Sequence, residues 1–298
     1  MTAVATKAPT PKNPKYQQNP KNSARDIPAR IFIWIGLLAG AAFAGLPVLW
    51  MLSSSFKSNR EIFEFPPRLL TESFSFDAYL AILSDPSRLR FFINSYVVAI
   101  CVTILTLVVA IHAAYAFSRF TFRMKHPLKL LIISVQAVPP ITVLIPYFGI
   151  IVALKMYDTY PGLIFTYMLF TLPYAIIMMT SYMNSLPREL DEAVRVDGGS
   201  SMTALWRVLV PVSVPGIVSV GVYTFMIAWN EYLFALTLTS SESMRTVPIG
   251  LQLLMGQHSF QWNEIMAMSI LGSIPVLALF LFFQRYFMSG LTSGAVKN

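Results

Sequence analysis

Six long apolar runs, separated by short charged segments, constrain this chain more than any other feature of its sequence. Each run spans about twenty residues or more, and a helix of that length rises ~30 Å, the thickness of the hydrocarbon core of a bilayer. The runs are Ile31–Leu52, Phe91–Phe117, Leu128–Leu154, Pro161–Asn184, Val212–Leu238 and Ile265–Phe287. They predict an all-α integral membrane protein with six transmembrane helices and both termini on one side of the membrane.

Charged residues make up only 12% of the 298 residues, against roughly 25% in soluble domains, which agrees with a membrane protein. Residues 1–29 are rich in Pro, Lys, Asn and Gln, and we expect them to form a disordered tail before a membrane domain over 30–298. A signal peptide is the competing interpretation of the first run. The run is too long for one, and it ends in Trp50-Met51-Leu52 instead of a small-residue cleavage site, so a retained helix is favoured.

The distribution of Lys and Arg predicts a cytoplasmic N-terminus, since cytoplasmic loops of membrane proteins carry the excess of basic residues. With both termini inside, 15 of the 22 basic residues are cytoplasmic, and the loop Arg119–Lys129 has four of them with no acidic residue. The outer segment Ser53–Arg90 fits less well, although its five basic residues are matched by five acidic ones. The net charge of +8 then reflects topology and anionic inner-leaflet lipid, and it does not indicate nucleic-acid binding.

Several kinds of chemistry are excluded by what the sequence lacks. Cys101 is the single cysteine, so no disulfide can form within the chain, and neither a Cys-x-x-Cys nor a His-Glu-x-x-His motif offers a metal site. The dipeptide Gly-Lys never occurs, so there is no phosphate-binding loop for ATP. We therefore expect a protein that is not an enzyme, has no catalytic residues and holds no metal.

The segment Ser185–Val210, between the fourth and fifth runs, is too charged to enter lipid but is strongly patterned. Ser185 can cap a helix, and Pro187 suits its first turn. Apolar residues then recur at helical spacing with charged residues between them: Leu186, Leu190, Ala193 and Val194. This pattern predicts a short amphipathic helix on the cytoplasmic side.

A glycine corner follows this helix. Gly198 and Gly199 favour its end because glycine tolerates the left-handed backbone conformation, and Ser200 or Ser201 can cap a second helix. The simple interpretation is a surface loop lying against the membrane. A short helix on a rigid corner can also dock into a groove of a cytoplasmic partner and transmit its movement to the attached spans.

The stretch Glu192–Gly198, followed by Leu209-Val210-Pro211, resembles the EAA loop of ABC-type import permeases, whose pattern is Glu-Ala-Ala-x-x-x-Gly with an apolar-Pro end. Val194 departs from the pattern, where a second Ala is usual. The resemblance implies the type I ABC importer permease fold, with a coupling loop at 185–211 whose first helix sits in a cleft of the ATPase subunit. It assigns ATPase coupling to Glu192, Ala193, Val194, Asp197 and Gly198.

Two further stretches resemble the carbohydrate branch of these importers. They are Trp229–Tyr232 in the fifth run and Gly290–Lys297 at the C-terminus, where only Asn298 departs. The resemblance implies a sugar or oligosaccharide as substrate. It also implies that the tail reaches the interface of the ATPase dimer through Gly294, Ala295, Val296 and Lys297.

The same resemblance implies a set of partners and a location. The chain would lie in a bacterial cytoplasmic (inner) membrane beside a second homologous permease subunit, receive sugar from an extracytoplasmic substrate-binding protein, and contact membrane lipid. ATP and Mg would be held by an ATPase subunit dimer, so that this chain binds no cofactor itself. ATP-driven closure of that dimer would switch the path between its inward and outward openings.

Glu231 is the first candidate for the substrate path, because it is the only charged residue deep within a predicted span. Glu231 shares a helix face with small residues, which line a path or allow close helix packing: Gly221, Thr224, Ala228 and Ala235. The alternative is that Glu231 only hydrogen-bonds a neighbouring helix. Asn230 and Trp229 point elsewhere, although an indole face suits a sugar ring.

Gln136 is a second candidate, since it lies beside a proline-rich stretch of the third span. Pro139, Pro140 and Pro146 should bend or break that helix, and broken backbone in a membrane is tolerated where protein or a water-filled cavity satisfies it. Thr142 is a further polar residue there. The alternative for both polar side chains is packing between helices.

The main rival function is an ion-coupled secondary transporter, which needs ionisable coupling groups inside the membrane. A single glutamate provides few ionisable groups for ion coupling, and a secondary transporter gives no reason for the glycine-cornered loop. A channel or structural membrane protein is the second rival. Uptake that depends on an ion gradient would favour the first rival, and transport without any ATP requirement would favour the second.

Overall fold

The computed structural model describes residues 26–71, 73–256 and 260–295, with side chains described between 30 and 286 of these ranges. Within these ranges every regular secondary-structure element is helical. The only β-type pairing there is an isolated bridge between Met255 and Phe260. This confirms the all-α class. The helices are α1 Asp26–Ser54, α2 Asn59–Ile62, α3 Asp77–Leu83, α4 Pro86–Arg119, α5 Lys125–Ala137, α6 Pro140–Ala153, α7 Tyr160–Asn184, α8 Glu189–Val196, α9 Ser201–Ala204, α10 Val210–Val212, α11 Val214–Trp229, α12 Leu233–Leu238, α13 Val247–Leu253 and α14 Trp262–Ala295, with a π-helical turn at Leu205–Leu209 and a 3₁₀ turn at Glu242–Met244.

Four helices in the described ranges are long and apolar enough to cross a membrane: Arg30–Ser54, Pro86–Arg119, Tyr160–Asn184 and Trp262–Tyr286. Two bent pairs bring the number of candidate spans to as many as six. Helix α1 begins at Asp26, four residues before the boundary predicted at 30, and residues 1–25 of the predicted tail lie outside the described ranges. Residues through Leu49 form a unit of their own, and the packing below concerns the chain from Trp50 onward.

The third predicted span is broken, as its prolines predicted. Helices α5 and α6 meet at 104° across Val138 and Pro139. The break has a simple cause, because Pro139 and Pro140 cannot donate the backbone hydrogen bonds that would continue α5. Only a weak bond from the Val138 amide to the Val135 carbonyl, at 3.4 Å, closes the end of α5.

Two clusters of buried apolar residues fill the bundle, one toward each end, and we call these ends outer and inner after the topology that the basic residues predict. The outer cluster joins the first half of α4 to α7, the end of α11, α12, α13 and the start of α14. The inner cluster joins the second half of α4 and of α7 to the beginning of α11 and to the segment that contains α8 and α9. The two clusters therefore lie at opposite ends of α4 and α7.

Asn94 is the polar centre of the outer end. It is fully buried on α4, and its amide donates to the carbonyls of Ser243 and Arg245 at 2.9 and 2.7 Å. The Tyr160 hydroxyl donates to the amide oxygen of Asn94 at 2.6 Å. One side chain thus ties α4 to the first turn of α7 and to the loop before α13.

Asp158 fixes a neighbouring connection at the same end. Its carboxylate accepts hydrogen bonds from the backbone amides of Ser240 and Ser241 at 2.9 and 3.2 Å. Burial raises the pKa of Asp158, but these hydrogen bonds outweigh burial and hold the pKa below its ordinary value. The carboxylate is therefore ionised at neutral pH, and its bonds to the loop are charge-assisted.

Asn94→Leu should destabilise the protein by about 2–5 kcal/mol, because two carbonyls and one hydroxyl would lose buried partners. Thermal unfolding in detergent measures the effect. Thr103→Val on the same helix is the matched control, since the Thr103 hydroxyl bonds only the Ala99 carbonyl of its own helix, at 2.7 Å. Equal shifts in the two variants would contradict the role given to Asn94.

Candidate coupling segment and substrate path

The segment between α7 and α11 folds as two short helices around a glycine corner. Its first helix, α8, begins at Glu189, later than predicted. The predicted cap at Ser185 is wrong, because Ser185 ends α7 instead and its hydroxyl donates to the Tyr182 carbonyl at 2.7 Å. No side chain caps α8, and acidic residues in its first turn interact favourably with the helix dipole in place of a cap: Glu189, Asp191 and Glu192.

The glycine corner has the predicted conformation. Gly198 has φ +79°, in the left-handed region where other residues are strained. The Gly199 amide donates to the Val194 carbonyl at 2.8 Å, and a Cβ at Gly199 would come within 2.5 Å of a Val194 methyl. Val194 thus packs against the corner.

Ser200 caps the second helix as predicted, accepting a hydrogen bond from the Thr203 amide at 3.2 Å. The helix continues through a π-helical turn in which Leu205 and Leu209 are fully buried. It then bends by 77° at Ser213 into α11. The corner and this bend connect α8 to the fifth span without a flexible linker.

Helix α8 has two distinct faces. The inner face places Leu190 against the inner cluster and buries Asp191 to 5% exposure. The opposite face is exposed at helical spacing and forms what we call the outer stripe: Glu189, Glu192, Ala193, Val196 and Asp197. Val196 is 87% exposed. Three of the residues predicted to couple to an ATPase therefore lie on the stripe, while Val194 and Gly198 form the corner.

The structure also holds α8 through a contact that the sequence did not predict. Arg119, the last residue of α4, forms an ion pair with Asp191 at 2.7 Å between Nε and a carboxylate oxygen. Its guanidinium also donates to the Leu186 carbonyl at 3.2 Å. The sequence offered Arg119 only as a topology marker and Asp191 only as one charge among several, because their pairing depends on tertiary structure.

The predicted fifth span is not one continuous helix, which corrects the small-residue face expected from Gly221 to Ala235. Helix α11 ends at Trp229, and α12 starts at Leu233. The carboxylate of Glu231 accepts hydrogen bonds from the amides of Phe234 and Ala235 at 2.8 and 3.0 Å. Glu231 thus stabilises the free amides at the start of α12.

Trp229 lies in the outer cluster. It is 3% exposed, stacks on Phe225, and donates from Nε1 to the Gly272 carbonyl at 3.0 Å. Asn230 is exposed, and its amide donates to the Met226 carbonyl at 2.8 Å. These contacts are those of helix packing and of a helix end.

Gln136 lines a cleft of about 270 Å³ at the break between α5 and α6. Tyr174 of α7 and Tyr223 of α11 line the same cleft, and their rings stack with centroids 3.9 Å apart. Pro140, Phe170 and Pro173 complete much of its wall. The sequence indicated Gln136 and the break, but it gave no signal that two tyrosines from separate spans would meet there.

The predicted C-terminal contact lies mostly outside the described residues. Gly294 and Ala295 belong to the last turns of α14, but their side chains are not described, and Val296 and Lys297 lie beyond the described ranges. In the described ranges no three His, Cys, Asp or Glu side chains come together in a group that could hold a metal ion.

Membrane-length helices, two bent pairs and a rigid helix–glycine–helix segment at one end are those of an integral membrane protein. Residues 103–291 match the family described as binding-protein-dependent transport system inner membrane component, and the chain belongs to that family. It is thus the permease subunit of an ATP-binding-cassette importer, not an enzyme, and the ATPase is a separate subunit.

Relatives of known transport systems cover nearly the whole chain. The sulfoquinovosyl glycerol transport system permease protein of Agrobacterium fabrum is 35% identical over 85% of this chain and 88% of its own length. The trehalose/maltose transport system permease protein of Thermococcus litoralis is 34% identical over 92% and 99%. A chain from the crystal structure of a bacterial ABC transporter that imports the acidic polysaccharide alginate has a TM-score of 0.78 at 22% identity, covering 90% of this chain and 99% of that one, which confirms the fold.

Gly198→Val should reduce ATP-driven uptake by the assembled transporter, because a non-glycine residue at φ +79° costs about 1–2 kcal/mol and a β-branched one costs more. A Cβ at this position meets nothing within 4 Å, so the effect isolates the backbone conformation. Gly198→Asn is the matched control, since asparagine tolerates this conformation. Equal uptake by both variants would argue against a rigid corner.

Proposed function

We propose that α8 is the coupling helix of this permease and that its outer stripe docks into a cleft of a cytoplasmic ATPase subunit. The observation that carries the proposal is the pair of opposed faces on α8, one fixed to the inner cluster and the other presenting Val196 almost fully exposed. An exposed apolar residue among acidic ones on a rigid helix is a typical docking surface. Glu192, Ala193 and Asp197 would make the contact, and Val194 and Gly198 would keep the helix at its angle.

The proposed assembly follows from the family. Two ATPase subunits would hold ATP and Mg, a second homologous permease would complete the path, and an extracytoplasmic binding protein would deliver the substrate. Both termini would be cytoplasmic, on the same side as α8. ATP-driven closure would push α8, and the corner and the bend at Ser213 would pass this movement to α11 and the fifth span.

The proposed substrate is a sugar or an oligosaccharide. Two relatives are named for transport of a glycerol glycoside and of disaccharides, and both cover most of this chain. The cleft at the α5–α6 break is the best supported substrate contact in the described residues. It offers an exposed amide at Gln136 and aromatic rings at Tyr174 and Tyr223, and sugar sites combine such polar groups with aromatic surfaces.

The experiment is ATPase stimulation and uptake by the reconstituted complex of this chain with its ATPase, second permease and binding protein, tested with a panel of neutral and acidic sugars. We expect one class of sugar to stimulate ATP hydrolysis and to enter proteoliposomes. Gln136→Ala should weaken uptake of that sugar by about threefold to thirtyfold, the loss of one or two polar contacts, without changing assembly.

Ionophores separate this proposal from the ion-coupled alternative. Uptake should persist when proton and sodium gradients are collapsed and should stop without ATP. Uptake that follows an ion gradient and ignores ATP would overturn the importer mechanism. Stimulation by no sugar, with stimulation by another solute class, would overturn the substrate assignment alone.

A further inference from the structure

The ion pair between Arg119 and Asp191 carries a free-energy cost because both charges are buried. The two side chains are only 5% and 7% exposed, and the pair joins the last residue of α4 to the middle of α8. Taking two charges out of water costs several kcal/mol per ion, and a buried pair seldom returns more than an apolar contact of the same volume. Stability alone therefore does not account for charges at this position.

The pair is also incompletely satisfied. In the described part of the chain, the Asp191 carboxylate interacts with the Tyr115 hydroxyl as well as with Arg119, and Ser201 interacts with the same hydroxyl, but the contacts of Asp191 and Tyr115 do not reach full hydrogen-bond geometry. A buried network with spare acceptors is less stable than a fully bonded one. Such a network can rearrange within the same pocket when α8 is displaced, because its hydroxyl and carboxylate groups can exchange partners.

The ion pair fixes the rotation of α8 about its own axis, which apolar packing alone does not fix. Leu186 and Leu190 pack against the inner cluster, but apolar contacts are non-directional and permit a helix to roll about its own axis. Asp191 points away from the outer stripe, so its bond to Arg119 sets the rotation of α8. The guanidinium also binds the Leu186 carbonyl, and the same side chain therefore holds the chain on both sides of the start of α8.

Helix α4 connects this contact to the opposite end of the bundle. It runs from Pro86 at the outer end to Arg119 at the inner end, and it packs along both α7 and α11. Asn94 near its outer end holds the loop before α13. Displacement of Arg119 is thus transmitted along one continuous helix to the opposite end of the bundle.

We propose that Arg119 and Asp191 are positioning residues, through which movement of α8 is passed directly to α4, in parallel with the covalent route through the glycine corner. This inference rests on the proposed function of α8 as the coupling helix. Without the pair, α8 can still bind an ATPase subunit, but part of its displacement is lost by rolling on the inner cluster.

The test is the number of ATP molecules hydrolysed per sugar transported by the reconstituted complex, together with thermal stability and ATPase co-purification. The variants are Asp191→Asn, Arg119→Met and the double apolar replacement Arg119→Met with Asp191→Leu. The double variant removes both charges at once, so it leaves no unpaired buried ion and should fold and assemble. We expect it to raise the ATP cost of each transported sugar by about threefold to thirtyfold with the melting temperature little changed.

The control is the matching double replacement, Arg88→Met with Glu264→Leu. Arg88 forms a less buried ion pair with Glu264 at 2.8 Å, with the side chains 22% and 17% exposed, and that pair joins α4 to α14 at the outer end and does not touch α8. The control variant should leave the number of ATP molecules hydrolysed per transported sugar unchanged. A double apolar variant with wild-type ATP cost would overturn the proposal and leave the coupling helix itself intact. A wild-type complex in which the ATPase does not bind α8 would instead overturn the proposed function.

Discussion

The attachment of α8 to the inner ends of α4 and α7 is the contact on which the account depends. A helix of eight residues is too short to be stable in water by itself, so its form and direction must come from packing. Leu190 supplies the apolar part of that packing, Asp191 supplies a directional bond, and Gly198 fixes the turn that follows. The consequence is a helix whose exposed stripe keeps one orientation relative to the membrane spans.

The two helix breaks bring polar backbone groups into the interior of the bundle. A backbone break in a membrane must be covered by protein or line a water-filled cavity, and the break between α5 and α6 lies beside the cleft of Gln136 and the two stacked tyrosines. The break after Trp229 is satisfied internally by the Glu231 carboxylate. The first break therefore borders a cleft, while the second is closed by the chain itself.

The sequence predicted what depends on local pattern. Run lengths predicted the helical class, the prolines predicted the break at Val138–Pro139, and the glycines predicted the corner at Gly198. It failed where neighbours decide the outcome. Ser185 could cap either of two helices and ends α7, and the fifth span looked continuous because no proline marks its break at Asn230. The pairing of Arg119 with Asp191 joins residues 72 positions apart and leaves no periodic signal.

The most direct test of the account is cysteine crosslinking between Val196 and the ATPase subunit in the assembled transporter, with Cys101 replaced by serine so that the new thiol is unique. The account predicts a crosslink from Val196→Cys to the ATPase whose yield changes when ATP is added. Leu83→Cys on α3, which is 51% exposed at the outer end, should give none. A crosslink from position 83 to the ATPase, or labelling of position 196 by a membrane-impermeant reagent from outside, would contradict it.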